Sequence, residues 1–175
     1  MYNGIMEKIT IAINGVGGCG KDTIVNFTRQ ICKVQNTSSI TPILDVAKFC
    51  GWDGVKTDKS RKFLADLKQL LTDYNEMPLN YLLDEQQKFI DGDDDVMFVH
   101  IREPHEIEKF KNHSKTKTYA LLITPRDELI GKVYGNSSDD NVSNYNYDFT
   151  FANNKPLDII EQEWIEFFTK NILKN

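Results

Sequence analysis

Residues 15–23 have the spacing most strongly linked to chemistry in this chain. The segment reads GVGGCGKDT, with Lys21 directly after a glycine-rich run. A β-branched run, KITIAIN at 8–14, precedes it, and apolar residues at helical spacing follow it. Glycines let such a loop curl so that its backbone N–H groups point inward, and the next helix N-terminus adds partial positive charge. In this context G-x-x-x-x-G-K predicts a loop for nucleotide phosphates, with Lys21 on the outer ones.

Two positions in this loop leave alternatives open. Asp22 stands where the common pattern has a serine or threonine that binds Mg²⁺, and Thr23 comes one position later. Asp22 is a candidate for holding the metal through water and also for capping the helix. Cys19 lies near the predicted helix N-terminus, which lowers a thiol pKa, but a small filler side chain is the favoured interpretation.

The same glycines also match the dinucleotide-binding pattern G-x-G-x-x-G, from Gly15 to Gly20. That pattern gives Lys21 no role. It also requires an acidic residue about 20 positions later at the end of a second strand, and no clear candidate is present. A phosphate loop is therefore favoured over an oxidoreductase site.

The elements around the loop predict an α/β fold in a single domain, residues 1–175. Strands are predicted at 8–14, 38–43, 96–101, 119–124 and 147–152, and helices at 21–33, 58–74, 80–90, 104–112 and 156–172. Alternating strands and helices imply a five-stranded parallel sheet with helices on both faces. Two long connections, a helical insert at about 45–92 and a polar segment at 125–146, are of the kind that form binding segments or lids.

Two arginines follow predicted strands. Arg102 comes after the third strand and Arg126 after the fourth, and ligands of open α/β sheets bind beyond the carboxyl ends of the strands. Both arginines should therefore converge with Lys21. Three cations at one place suit phosphoryl transfer, because the reaction needs its developing charge neutralised.

The helical insert carries candidates for contact with the group that receives the phosphoryl. Arg61 and Lys62 lie on an amphipathic helix among other bases, so they are acceptor contacts or solvated surface charges. Trp52, beside a glycine, is a candidate for stacking on a base, with a packing role as the alternative.

Together these motifs resemble those of the nucleoside monophosphate kinases. The loop GxxxxGKDT, the helical insert and the polar segment carry the wider resemblance. The stretches GWDGVKTDKSRKFLADLKQL, VHIREPHEIEKF and YDFTFANN look more narrowly like phage-type deoxynucleoside monophosphate kinases. The resemblance covers nearly the whole chain. It implies a three-layer P-loop kinase fold with a short lid, and transfer from ATP, with Mg²⁺, to a (deoxy)nucleoside monophosphate bound at the insert.

The resemblance also implies residue roles. Arg102 would contact the acceptor phosphate, and Arg126, where the family's lid begins, would close on the donor phosphates. Asn153 and Asn154 match the loop that packs against adenine. The ATP phosphates would be held by the whole loop: Gly15, Val16, Gly17, Gly18, Cys19, Gly20, Lys21, Asp22 and Thr23.

Some positions depart from the family pattern. Relatives often carry an acid two residues before the strand-three arginine, where this chain has His100. Glu103 is a candidate replacement and, with Asp22, a candidate Mg²⁺ ligand through water. The lid contains a single arginine, Arg126, with Lys132 as a candidate second cation. Two alternatives therefore stay open: a kinase of another phosphate-bearing acceptor such as dephospho-coenzyme A, and a non-catalytic nucleotide-binding regulatory protein.

Composition limits the partners. The net charge is −5, from 21 Lys and Arg against 26 Asp and Glu, so nucleic acid is not an expected partner. No apolar run approaches the ~18–20 residues of a membrane span, and the first residues lack a secretory signal. Three cysteines without paired spacing predict a reduced, cytoplasmic location. The expected partner is a small nucleotide, and both a monomer and a homodimer are left open.

Overall fold

The computed structural model describes residues 7–124, 142 and 144–174, and within them five strands form one parallel sheet. The strand order is β2-β3-β1-β4-β5. The central strand β1 pairs with β3, where Ile9 lies opposite Val96, and with β4, where Ile9 lies opposite Lys117. All carboxyl ends therefore meet at one edge, as the sequence predicts. The strands are Ile9–Asn14 (β1), Val34–Ser38 (β2), Val96–His100 (β3), Lys117–Thr124 (β4) and Phe149–Ala152 (β5).

Helices cover both faces of this sheet, so every residue of the central strand β1 is buried. One face packs on α1 and α6, with Trp164 and Phe168 fully buried against Phe98 and Ile24. The other packs on α4 and α5. The helices of the described residues are Lys21–Thr28 (α1), Thr41–Phe49 (α2), Asp58–Asn75 (α3), Met77–Asp91 (α4), Pro104–His113 (α5) and Leu157–Asn171 (α6).

The second predicted strand is wrong in its position. Residues 38–43 were expected to be extended, but β2 ends at Ser38 and α2 begins at Thr41. Pro42 explains the difference, since a proline in the first turn suits a helix start and cannot donate to a strand ladder. The observed β2 is a half-buried edge strand of mostly polar residues, VQNTS, which lacks the apolar run that signals an inner strand. Helix α1 also ends earlier than predicted, at Thr28.

The connection from β2 to β3 is helical, as predicted for 45–92, and consists of α2, α3 and α4. Helix α4 returns to the sheet, where Leu82 and Phe89 are buried. Helix α3 is different, because only Leu64 of its 18 residues is buried. A capping box between Thr57 and Ser60 fixes the start of α3.

Most of the predicted lid at 125–146 lies outside the described residues. Arg126 and Lys132 also lie outside the described residues.

Candidate functional site

The glycine-rich loop lies between β1 and α1, at the carboxyl edge of the sheet. Gly20 is the N-cap of α1 with φ +95°, in the left-handed region that favours glycine. A Cβ on Gly20 would run into the side chain of Asn153. A Cβ on Gly15 would lie 2.5 Å from both Cys19 Sγ and Ile123 O. The loop therefore needs glycine at these two positions, which ties the sequence pattern to this tight path.

Lys21 is held across the loop by backbone carbonyls. Its Nζ donates to Gly15 O at 2.5 Å and to Val16 O at 3.1 Å, and lies 3.6 Å from Cys19 Sγ. The ammonium is thus fixed beside the N-terminus of α1, whose partial positive charge adds to its own. This arrangement of positive charge suits the binding of an anion.

Cys19 and Asp22 resolve two of the open alternatives. Cys19 is buried, and burial raises the pKa of its thiol even though the Lys21 cation acts in the opposite sense. Both observations favour the filler interpretation of Cys19 over a reactive thiol. Asp22 does not cap α1, because the N-cap is Gly20 and no side chain makes a cap hydrogen bond. Its carboxylate is 88% exposed in the first turn.

Asn153 connects the loop after β5 to the phosphate loop. Its Nδ2 donates to Cys19 O at 2.7 Å, and its backbone N–H donates to Thr124 O at 3.1 Å. The side chain is buried, and its Oδ1 has no hydrogen-bond partner among the described residues. Asn154, next to it, is exposed. An unsatisfied buried acceptor is costly, so Asn153 Oδ1 is a candidate contact for a donor on a ligand.

Arg102 follows β3 directly and lies one strand away from the phosphate loop. Its backbone carbonyl accepts from Asn14 Nδ2 at 2.9 Å, while Asn14 Oδ1 accepts from Gly15 N at 2.8 Å. Asn14 is fully buried. One side chain thus joins the start of the phosphate loop to the residue that the sequence singles out on the neighbouring strand.

His100 ends β3 with its side chain 15% exposed. Its Nε2 lies 2.9 Å from Asn36 Oδ1 and 3.8 Å from Asp22 Oδ1. Because an amide oxygen only accepts, Nε2 carries the proton. Burial lowers the pKa of His100 to about 4 against the attraction of the Asp22 carboxylate, and the Lys21 and Arg102 cations lower it further. The ring is therefore neutral at ordinary pH and acts as a hydrogen-bonding group.

The candidate residues of the insert lie in three different settings. Trp52 is half-buried between α2 and α3, and its Nε1 donates to Val55 O at 3.0 Å. Lys62 is 77% exposed and pairs with Asp66 at 2.6 Å. Arg61 is exposed. It lies seven residues, about two turns, before Lys68 and so shares the helix face of Lys68 rather than that of Lys62.

Two ion pairs join α3 to α5. Lys68 Nζ lies 2.8 Å from Glu106 Oε2, with the side chains 18% and 16% exposed, and Lys109 pairs with Glu76. Glu76 is the C-cap of α3, so both pairs connect the second half of this helix to α5.

An open cavity lies where α3, α4 and α5 meet the carboxyl edge of the sheet, and it encloses about 50 Å³. This space is smaller than the usual small-molecule site. Ile101, the neighbour of Arg102, is part of the lining. The remaining apolar lining consists of Pro78, Leu79, Leu82 and Phe110. The polar lining consists of Ser39, Thr72, Glu76, His105, Glu106 and Lys109.

A metal ion would have few protein ligands here. In the described part of the chain, no three His, Cys, Asp or Glu side chains gather into a metal-binding group. Mg²⁺ usually keeps several waters and binds one or two carboxylates together with substrate phosphates. The exposed carboxylate of Asp22 and that of Glu103, at the N-cap of α5, fit such a role for a magnesium ion that arrives with a nucleotide.

Sequence reasoning missed Asn14 and Tyr147. Asn14 Nδ2 donates to Tyr147 OH at 2.8 Å, and Tyr147 OH donates to Val142 O at 2.7 Å. A signal was present, because an asparagine at the end of the buried strand ITIAIN is costly unless its amide is hydrogen-bonded. The ion pair of Lys68 with Glu106 left no comparable signal, since it depends on how two helices pack.

Helices that combine the length and the apolar character needed to cross a membrane do not occur among the described residues.

Comparison with known proteins supports the fold. No protein-family model and no curated protein matches the chain. Among solved structures, it is similar to TT1252 from Thermus thermophilus, with 16% identity, a TM-score of 0.51, and coverage of 94% of this chain and 98% of that one. It is also similar to "a putative kinase" from Chloroflexus aurantiacus, with 13% identity, a TM-score of 0.51, and coverage of 95% and 98%. At this identity the likeness shows a shared fold. The predicted α/β fold, with a five-stranded parallel sheet between helices, is confirmed.

Proposed function

We propose that this protein transfers a phosphoryl group from ATP to a (deoxy)nucleoside monophosphate and forms the diphosphate. The observation that carries the proposal is the junction at the carboxyl edge of the sheet. There, Asn14 joins the phosphate loop at Gly15 to the backbone of Arg102 through hydrogen bonds of 2.8 and 2.9 Å. A cation-bearing loop and a second cation on the next strand are the parts that in-line transfer between two phosphates requires.

The donor side is supported by the loop and by Asn153. Backbone N–H groups and Lys21 would hold the ATP phosphates, and Asn153 Oδ1 would accept from a donor on the adenine side. Asn154 and Thr23 are further candidates on this side. Mg²⁺, with Asp22 and Glu103 as its candidate carboxylates, would neutralise phosphate charge when bound. Arg126 keeps its predicted role on the donor phosphates.

The acceptor side is supported by Arg102 and the cavity beside it. Arg102 would bind the acceptor phosphate in a bidentate manner, with Arg61 as a second cation. The cavity is lined by both apolar and polar side chains, which suit the flat faces and hydrogen-bonding edges of a base, and it would have to widen to admit one. Trp52 and Lys62 stay candidates at the outer side of the insert.

One observation favours a second candidate, a nucleotide-binding regulatory protein without turnover. His100 is neutral where related kinases often carry an acid, so this chain has one anionic group fewer near the metal. Such a protein would bind ATP but leave Arg102 without a reacting partner.

An ADP-release assay over a panel of acceptors tests the proposal. The panel contains the ribo- and deoxyribonucleoside monophosphates of each base and dephospho-coenzyme A, and Lys21→Ala serves as the inactive control. Turnover with one or more monophosphates that is lost in Lys21→Ala supports the proposal. Turnover with dephospho-coenzyme A alone changes the acceptor. ATP binding by calorimetry without turnover on any acceptor favours the regulatory protein and rejects the kinase.

A further inference from the structure

Asn14 makes three hydrogen bonds that reach three different parts of the candidate site. Its Oδ1 accepts from the Gly15 backbone, and its Nδ2 donates to Arg102 O and Tyr147 OH, all within 2.9 Å. The backbone N–H of Gly15 only donates and the carbonyl of Arg102 only accepts, so the amide orientation is fixed by its partners. Both hydrogens of Nδ2 are used.

Tyr147 extends this connection to the chain before β5. Its hydroxyl accepts from Asn14 and donates to Val142 O at 2.7 Å. Burial raises the pKa of Tyr147 to about 12, with the Asn14 hydrogen bond acting in the opposite sense, so the phenol keeps its proton for Val142. Each hydrogen bond that connects Gly15, Asn14, Tyr147 and Val142 therefore has a defined donor and a defined acceptor.

We infer that Asn14 is a positioning residue that sets the distance between the phosphate loop and Arg102. This inference rests on the proposed function. Two rigid pieces, the loop after β1 and the turn after β3, could each bind a phosphate without being correctly placed relative to each other. The pairing of β1 with β3 ends at Ile13 and His100, and Asn14 limits the remaining freedom beyond the strands because its buried amide holds the first residue of the loop and the backbone of Arg102. In-line transfer is sensitive to such placement, since a displacement of about 1 Å can cost ~10²-fold in rate.

Asn14→Ala and Asn14→Asp test this role. Asn14→Asp keeps an acceptor for the Gly15 N–H but has no donor for Arg102 O, so it separates the two sides of the junction. Asn14→Ala avoids placing a carboxylate in a buried position and serves if Asn14→Asp does not fold. For both variants we expect ATP affinity within about 3-fold of the wild type and turnover lower by about 10- to 100-fold.

Thr10→Val is the matched control. Thr10 is equally buried in β1, at the opposite end of the strand, where its hydroxyl bonds Thr116 and Gln86. The Thr10→Val variant should have a lower melting temperature than the wild type and the same turnover. Tyr147→Phe should lower turnover by only about 3-fold, and adding it to Asn14→Ala should have no further effect, because both changes interrupt the same connection.

Hydrogen exchange supplies a measurement that does not depend on the acceptor. In the wild type, ATP alone should slow exchange in residues 101–107, and Asn14→Ala should abolish that response while ATP still binds. If the wild type turns over no acceptor, the proposed function fails, but this exchange response still decides the role of Asn14. Asn14→Ala with wild-type turnover, or with the exchange response retained, overturns the inference. So does a change confined to melting temperature, as in Thr10→Val.

Discussion

The phosphate loop with α1 and the insert helix α3 are held in opposite ways. Helix α1 has eight residues and buries four of them, Ile24, Val25, Phe27 and Thr28. Helix α3 has 18 residues and buries only Leu64, while Leu70 and Tyr74 are 64% and 81% exposed. The proposed donor side is therefore built into the core, whereas α3 on the proposed acceptor side buries a single residue and is joined to α5 by ion pairs.

This difference has a physical consequence. Regions with few buried apolar contacts open at lower free energy than the core, and substrate-binding elements are often drawn from such regions. In the proposed reaction, a fixed loop would keep the donor phosphates oriented, and a loosely packed insert would let an acceptor enter beside Arg102. The following expectations test whether the two regions differ in this way, from the largest effect to the smallest.

Lys21→Ala should cause the largest loss on the donor side. Lys21 interacts more strongly with the transferring group than with bound ATP, so turnover should fall about 10²-fold or more while ATP affinity falls less. Steady-state kinetics and ATP titration measure the two effects. Lys170→Ala, which removes an exposed lysine of α6, is the control. Near-normal turnover in Lys21→Ala would remove the phosphate-loop interpretation.

His100, which lies beside the phosphate loop, should make the free energy of unfolding decrease in acid. Its pKa of about 4 when folded lies below the ordinary 6.5, so between these values the unfolded chain binds more protons than the folded one. Stability should therefore fall as the pH drops from 6.5 to 4, by about 3 kcal/mol from this group. Urea unfolding at pH 7 and pH 4 measures it. His100→Gln should show a smaller decrease than the wild type and than His113→Gln, an exposed control. Equal decreases in all three would mean that His100 is protonated in the folded protein.

Arg102→Ala tests the proposed acceptor side. We expect a higher acceptor KM and turnover lower by about 10- to 30-fold, with little change in ATP affinity, since about 2 kcal/mol is typical of a lost charged contact. Arg102→Lys should recover only part of this, because a point charge cannot reproduce a bidentate contact. Loss of ATP binding in Arg102→Ala would instead place the side chain on the donor side.

The sequence predicted the elements around the phosphate loop better than those of the insert. The loop pattern, the strand before it and the helix after it are local in the chain, so their spacing is visible in sequence. The position of β2 was predicted wrongly and α2 was not predicted, because VQNTS is a polar edge strand and Pro42 was interpreted as the end of a strand. Phe63, Leu70 and Tyr74 of α3 lie at helical spacing, as in an apolar face, but the structure leaves all three exposed. Burial there depends on which helices pack together, and a single sequence does not encode that in its periodicity.

The ion pair of Lys68 with Glu106 should contribute a moderate amount to attaching the insert. Both side chains are more than four-fifths buried, so screening by water is limited, and we expect a coupling on the order of 1 kcal/mol. A double-mutant cycle with Lys68→Ala and Glu106→Ala, followed by urea unfolding, measures it. The exposed pair of Lys62 with Asp66 is the matched comparison and should give less than about 0.5 kcal/mol. Equal couplings would mean that burial does not strengthen the pair in α3.

The smallest effect should come from the exposed apolar side chains of α3. Leu70 is 64% exposed, so Leu70→Ser removes little buried area and should change the free energy of unfolding by less than about 0.5 kcal/mol. Leu64 is 9% exposed in the same helix, and Leu64→Ala should cost about 2–4 kcal/mol. Urea unfolding of the two variants compares one helix face with the other. A loss for Leu70→Ser close to that for Leu64→Ala would show that Leu70 is covered in solution. The insert would then be packed as firmly as the donor loop, and the contrast between the two regions would no longer hold.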